Sequence, residues 1–134
     1  MKKDINPPLV EDIAVAVVKE LNELNEDVWN VYLLNLKKEN IEGVLVTSKG
    51  YGTYNEEEVK TSTLRHFLDV VNASDFKKIE PIVETVFGLN NEYWVSFFLN
   101  NVMYDKKYIF LPETIKEENF TSVPFINKKG VMIK

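Results

Sequence analysis

Cysteine is absent from the 134 residues. That excludes a disulfide framework, a cysteine zinc site, an iron–sulfur cluster and a thiol nucleophile. Histidine and arginine occur once each, side by side, as Arg65 and His66. A transition-metal centre would have to be built from carboxylates, which suit such metals poorly, so neither a metal nor a cofactor is expected. Nucleic-acid interfaces rely on arginine forks set in a basic patch. One Arg among fifteen Lys, in a chain of net charge −5, argues against a nucleic-acid partner. Long apolar runs are missing too. Nothing approaches the roughly 18 residues of a membrane span, so no membrane partner is expected. Lys2 and Lys3 could open a secretory signal, but Asp4, Pro7 and Pro8 stand where its apolar core belongs. The run 13–18 is too short to replace that core and is followed by Lys19 and Glu20. Both features predict a cytoplasmic protein.

What is present is ordinary globular material. Apolar residues make up 45% and aromatics 12%, so a chain of this length buries roughly two-thirds of its unfolded surface without staples. No repeat, low-complexity tract or linker divides it, which predicts one domain over 1–134.

The pattern is mostly that of strands. Residues 1–8 form a lead-in. Within 9–24, Ile13, Val15 and Val17 alternate with Ala14, Ala16 and Val18. The same stretch fits a helical stripe, but the β character downstream favours a strand buried on both faces. A second strand carries Trp29, Val31 and Leu33. A third, over 44–48, ends where Gly50-Tyr51-Gly52 breaks it, and Glu56-Glu57-Glu58 forms a solvated loop. Strand four covers 63–71. Strand five covers 76–86, and Pro81 makes it an edge or bulged strand. The clearest hairpin joins 92–99 to 102–111 through Asn100-Asn101, a pair that tolerates φ > 0. Thr114-Ile115-Lys116-Glu117 has capping-box spacing and predicts a short helix over 114–119. Residues 130–133 make a last edge strand. About seven strands with few helices predict an all-β, two-sheet, immunoglobulin-like antiparallel sandwich.

Candidate chemistry is sparse. In a strand His66 shares a face with Leu64 and Leu68, and Arg65 shares the other with Phe67. The two cannot build one site, and His66 reads as a hydrogen-bonded core histidine. A hydrolase centred on His66 would need a nucleophile and a carboxylate, for which only Ser62 or Asp69 suggest themselves. No catalytic residue is assigned. Lys49, Gly50, Tyr51 and Gly52, with Arg65, could cradle a small molecule or an anion on backbone amides. Lys60-Thr61-Ser62 echoes the end of a P-loop, but Val59 replaces the required glycine. The glutamates at 56–58 fit no calcium-loop spacing.

The hairpin is the most informative feature. A two-residue turn pairs Leu99 with Val102 and Phe97 with Tyr104. One face then carries Tyr93, Val95, Phe97, Leu99, Val102, Tyr104 and Tyr108. The other carries Trp94, Phe98, Met103 and Ile109, diluted by Ser96, Asp105 and Lys107. Only one face can point into a sandwich. The other is covered either by the C-terminal segment, with Phe120, Val123, Phe125 and Ile126, or by a protein partner or a second copy of the chain.

Three stretches, Lys60-Thr61-Ser62-Thr63-Leu64-Arg65-His66, Lys78-Ile79-Glu80-Pro81-Ile82 and Tyr104-Asp105-Lys106-Lys107-Tyr108-Ile109-Phe110, resemble a family of short uncharacterised bacterial proteins, over nearly the whole chain. Some of these carry a phenylalanyl-tRNA synthetase subunit label, which would imply a tRNA-synthetase-related accessory role. A class II catalytic core binds ATP through motif arginines, and this chain has one Arg and none of the motifs. The resemblance implies no activity and assigns no residue role. The expectation is a binding or protein-interaction module without enzymatic activity.

Overall fold

A computed structural model of the chain describes residues 8–134. All but Pro8 of the expected lead-in lies outside the described residues.

Among the described residues the structure is all-β, with ten strands in two antiparallel five-strand sheets and no α-helix. The strands are β1 (Ile13–Leu21), β2 (Asp27–Asn35), β3 (Ile41–Tyr54), β4 (Glu57–Lys60), β5 (Leu64–Val71), β6 (Asp75–Ile82), β7 (Asn90–Leu99), β8 (Val102–Phe110), β9 (Thr121–Val123) and β10 (Lys128–Ile133). Sheet A runs β6-β2-β1-β10-β9. Sheet B runs β4-β3-β7-β8, with β5 also pairing β3. The long β3 gives residues 41–48 to β5 and 51–54 to β4. Its other edge pairs with β7.

Local chemistry sets the turns. Between β1 and β2 the Asn22 side-chain oxygen accepts the Leu24 and Glu26 amides at 2.8 and 3.0 Å, an Asx-type turn. Asn100 and Asn101 both have positive φ (52° and 63°). They close the β7–β8 hairpin with Leu99 opposite Val102 and Phe97 opposite Tyr104. Asn55 and Glu56 do the same between β3 and β4, with φ of 53° and 65°.

The main core lies between the sheets. Sheet A contributes Ile13, Val15, Val17, Val31 and Leu33, and sheet B contributes Val44, Val46, Tyr93, Val95, Phe97 and Tyr108. Strand β1 is buried on both faces, because Ala14, Ala16 and Val18 join Leu34 and Val123 in a smaller cluster on the far side of sheet A. The architecture is sandwich-like.

Several expectations change. The strand count rises from about seven to ten, because short strands escaped the pattern. Gly50 and Gly52 do not end a strand but lie within β3. Gly50 keeps its ladder: its amide donates to Thr61 Oγ1 at 2.7 Å and its carbonyl accepts the Thr61 amide. Glu57 and Glu58 are paired in β4 rather than looped, and Glu56 sits in the turn. Strand five stops at Ile82, and a 3-10 turn at Glu84–Val86 follows. In place of the helix over 114–119 there is one 3-10 turn at Glu117–Asn119, with no side-chain cap; six residues are too few to repay helix nucleation.

Candidate functional site

Two places concentrate chemistry: an inward cluster around Glu80, and the outer face of sheet B.

Strand β6 is an edge of sheet A and contains Pro81. It pairs with β2 through an irregularity: Lys78 faces Tyr32 and Glu80 faces Val31, so Ile79 is an extra residue. Such a bulge lets two consecutive side chains reach one face. Ile79 enters the core, and Glu80 follows it inward. The Glu80 carboxylate meets three strands of sheet B. Ser48 Oγ of β3 donates to Oε1 at 2.8 Å, and His66 Nε2 of β5 lies 2.7 Å from the same oxygen. Tyr93 Oη of β7 donates to Oε2 at 3.0 Å. Ser48 and Tyr93 are 4% and 2% exposed, so their donors have little water to turn to. Burial, and then the Glu80 charge, push the Tyr93 phenol well above its ordinary range.

Sequence pattern alone missed Glu80 as the partner of His66 and proposed Ser62 or Asp69 instead. The available signal was a carboxylate one residue after a core isoleucine and directly before a proline in an edge strand. The arrangement differs from a serine–histidine relay. Ser48 and His66 both bind Glu80 Oε1, whereas a relay needs the hydroxyl on the imidazole and the carboxylate on the other ring nitrogen.

Beside the cluster a cavity of about 370 Å³ opens between the start of β5 and the end of β6, lined by Ser48, Gly50, Thr61, Ser62, Leu64, Glu80, Ile82, Val83, Val86, Asn91 and Tyr93, among others. Gly50 helps keep it open. A Cβ there would come within 3.1 Å of Thr61 Cγ2 and 3.4 Å of Asn91 Oδ1.

The outer face of sheet B carries the interaction set singled out from sequence and, of the ligand-binding set, Lys49, Tyr51 and Arg65. Across the strands, Arg65 lies opposite Thr47, Thr47 opposite Trp94, and Trp94 opposite Lys107. Lys49 lies opposite Glu92, and Glu92 opposite Ile109. Phe98 lies opposite Met103, and its ring lies against Gly43, where a Cβ would meet Phe98 Cδ1 at 3.3 Å. Residues facing each other across a ladder share a sheet face. Lys49, Tyr51 and Arg65 therefore stand with Trp94, Phe98, Met103 and Ile109, while Gly50 faces inward. Arg65 and His66 point to opposite faces, since His66 lies opposite the buried Val46. Lys49 Nζ is 4.0 Å from Glu92 Oε2 and 5.8 Å from the Tyr51 ring centre. Lys107 Nζ stands 4.7 Å over the Trp94 ring. Ile109 is half-buried; Trp94, Phe98 and Met103 are 44%, 46% and 52% exposed, and Phe67, on β5, is 67% exposed. The C-terminal segment does not cover this face, as one expectation had it. Val123 and Ile126 pack on the far side of sheet A, and Phe120 meets Trp29 edge-on at 5.9 Å.

A second carboxylate, Glu20, sits on the outer side of sheet A. It accepts hydrogen bonds from Asn30 Nδ2 at 2.6 Å and Tyr32 Oη at 2.5 Å, with Lys128 Nζ at 3.3 Å. Burial alone would raise its pKa, but the hydrogen bonds from Tyr32 and Asn30 and the Lys128 ammonium hold it below the usual carboxylate value. Among the described residues no group of three His, Asp or Glu could hold a metal ion, and no helix is long and apolar enough to cross a membrane. In comparisons with protein-family models, curated proteins and solved structures, the chain matches none.

Proposed function

We propose that this chain is a binding module that docks a protein partner on the outer face of sheet B. One observation carries the reading: four large apolar side chains, Phe67, Trp94, Phe98 and Met103, stand 44–67% exposed on a single sheet face. Scattered apolar residues need no explanation, but exposed aromatic and Met side chains gathered on one sheet face favour an interaction surface. The patch has the composition of an interface centre, with aromatics and Met enriched. Arg65, Lys107 and Asp105 supply a charged rim. The immunoglobulin likeness is part of this proposal at the level of two facing sheets; the strand count differs, five in each sheet against four and three.

Oxidative footprinting tests the reading. Trp94 and Met103 are oxidised readily in dilute purified protein. In intact cells a docked partner protects both, and protection at high concentration of the purified protein identifies the partner as a second copy. Equal oxidation in all three settings would sink the proposal. The double variant Trp94→Ser/Phe98→Lys keeps its fold, because both side chains are half exposed, and loses any protection at Met103.

A further inference from the structure

We propose that the cavity beside Glu80 binds a small organic cation, an alkylammonium or alkylguanidinium with a short apolar stem. The cavity lies on the inner side of sheet B, apart from the docking face.

The argument is a count of hydrogens. Ser48 Oγ and Tyr93 Oη spend their protons on Glu80. Asn91 Nδ2 spends both hydrogens on the Val86 and Leu89 carbonyls, at 2.9 and 3.2 Å. Thr61 Oγ1 accepts the Gly50 amide and donates to the Ser62 carbonyl. What these groups still offer the cavity is lone pairs: two on Ser48 Oγ, those of Asn91 Oδ1, one on Tyr93 Oη and one on Glu80 Oε2. The Ser62 hydroxyl, at the exposed mouth, is the lining side-chain donor that the described residues leave uncommitted. Lys49 lends backbone only, since its ammonium is directed to Glu92 and Tyr51 on the other face.

The recess is therefore rich in acceptors, poor in donors and carries a carboxylate. An anion would find few donors and a like charge, and a neutral ligand would lack the charge-assisted contact with Glu80 that a cation adds to those of Ser48, His66 and Tyr93. A cation bearing several N–H groups can donate to several of these acceptors at once, and charge-assisted bonds are the stronger kind. Leu64, Ile82 and Val86 supply a wall for the stem. A volume of about 370 Å³ suits a small molecule rather than a folded partner.

The probes are n-butylguanidinium and n-butylammonium, with butyrate and n-butanol as controls of the same stem. Titration followed by amide NMR of the full chain should give saturable shifts at millimolar cation, centred on Gly50, Ser62 and Val83. Butyrate should give none. Glu80→Gln should weaken cation binding about tenfold or more, since it removes the charge. Because Glu80 also ties the sheets, a second variant guards the test. Val83 is exposed at the rim, so Val83→Lys leaves the fold intact and adds repulsion that should weaken the cation about fivefold. Absence of saturable shifts with either cation, equal binding of butyrate, or unchanged affinity in Val83→Lys would each overturn the proposal.

Discussion

Removing Glu80 alone should harm the protein more than removing Glu80 together with two of its partners. Glu80→Leu keeps side-chain bulk and deletes the shared acceptor. It leaves the Ser48 and Tyr93 hydroxyls, 4% and 2% exposed, with unpaired protons, at about 1–3 kcal/mol each. His66 is less costly, because its side chain is 26% exposed and can turn to water. The sum is about 3–5 kcal/mol, a large share of the 5–15 kcal/mol that holds a typical domain together. At about 3–5 °C per kcal/mol for a chain of this size, the melting temperature should fall by roughly 10–20 °C. In Glu80→Leu/Ser48→Ala/Tyr93→Phe the orphaned donors are gone, so stability should recover by about 1–3 kcal/mol over the single variant. Urea unfolding followed by tryptophan fluorescence measures both. A single variant within about 1 kcal/mol of wild type, or a triple variant less stable than the single, would refute the idea that the carboxylate is held by largely buried donors.

Gly130→Ala should be far worse than its size suggests, because the new Cβ would lie 2.2 Å from the Val17 carbonyl oxygen across the β1–β10 ladder. Gly88→Ala, whose near neighbour is the flexible Glu113 carboxylate at 3.1 Å, should be close to neutral, and thermal melts of the pair read the contrast. Ionised Glu20 favours the folded state above the ordinary carboxylate range, since its folded pKa is lowered; that contribution is lost as pH falls through the folded value, so Glu20→Gln should flatten the acid limb of a stability–pH curve. Tyr93 and Tyr108, raised chiefly by burial, work in the opposite sense, and stability should fall as pH rises past the ordinary phenol range. Asn101→Gly should be neutral to stabilising by up to about 1 kcal/mol, because Asn-Gly suits a turn with two positive φ values; a loss of stability would show that the asparagine side chain contributes something further.

Legibility followed the range of the interaction. The β7–β8 hairpin could be read because Asn100-Asn101 and the alternation around it are local, and they fix register by themselves. The burial of β1 on both faces was visible in the unbroken apolar run 13–18. Gly50 and Gly52 misled because glycine marks turns in most contexts; here the inner position at Gly50 is crowded by Thr61 and Asn91, and the strand runs straight through. The place of the C-terminal segment was illegible, since β10 joins sheet A by pairing with β1, and no local pattern chooses between two apolar faces. Ser48, His66, Glu80 and Tyr93 sit on four strands, and only the bulge at Ile79 brings the carboxylate to the other three. Pro81 hinted at the irregularity without saying which side chain it would turn.

The pairing of Val15 with Ile133 and Val18 with Gly130 has a consequence for biosynthesis. Strand β10 lies in the middle of sheet A, between β1 and β9, so the order of synthesis runs against the order of assembly. While a ribosome is still translating the chain, the β1–β2 hairpin and most of sheet B can form, but β1 keeps one apolar, unpaired edge until residues 128–133 emerge. Contacts so distant in sequence also slow folding, because a long loop must close before they form. The nascent protein therefore passes through a period in which its most buried strand is its most adhesive one, and that is the interval in which a chaperone would matter most.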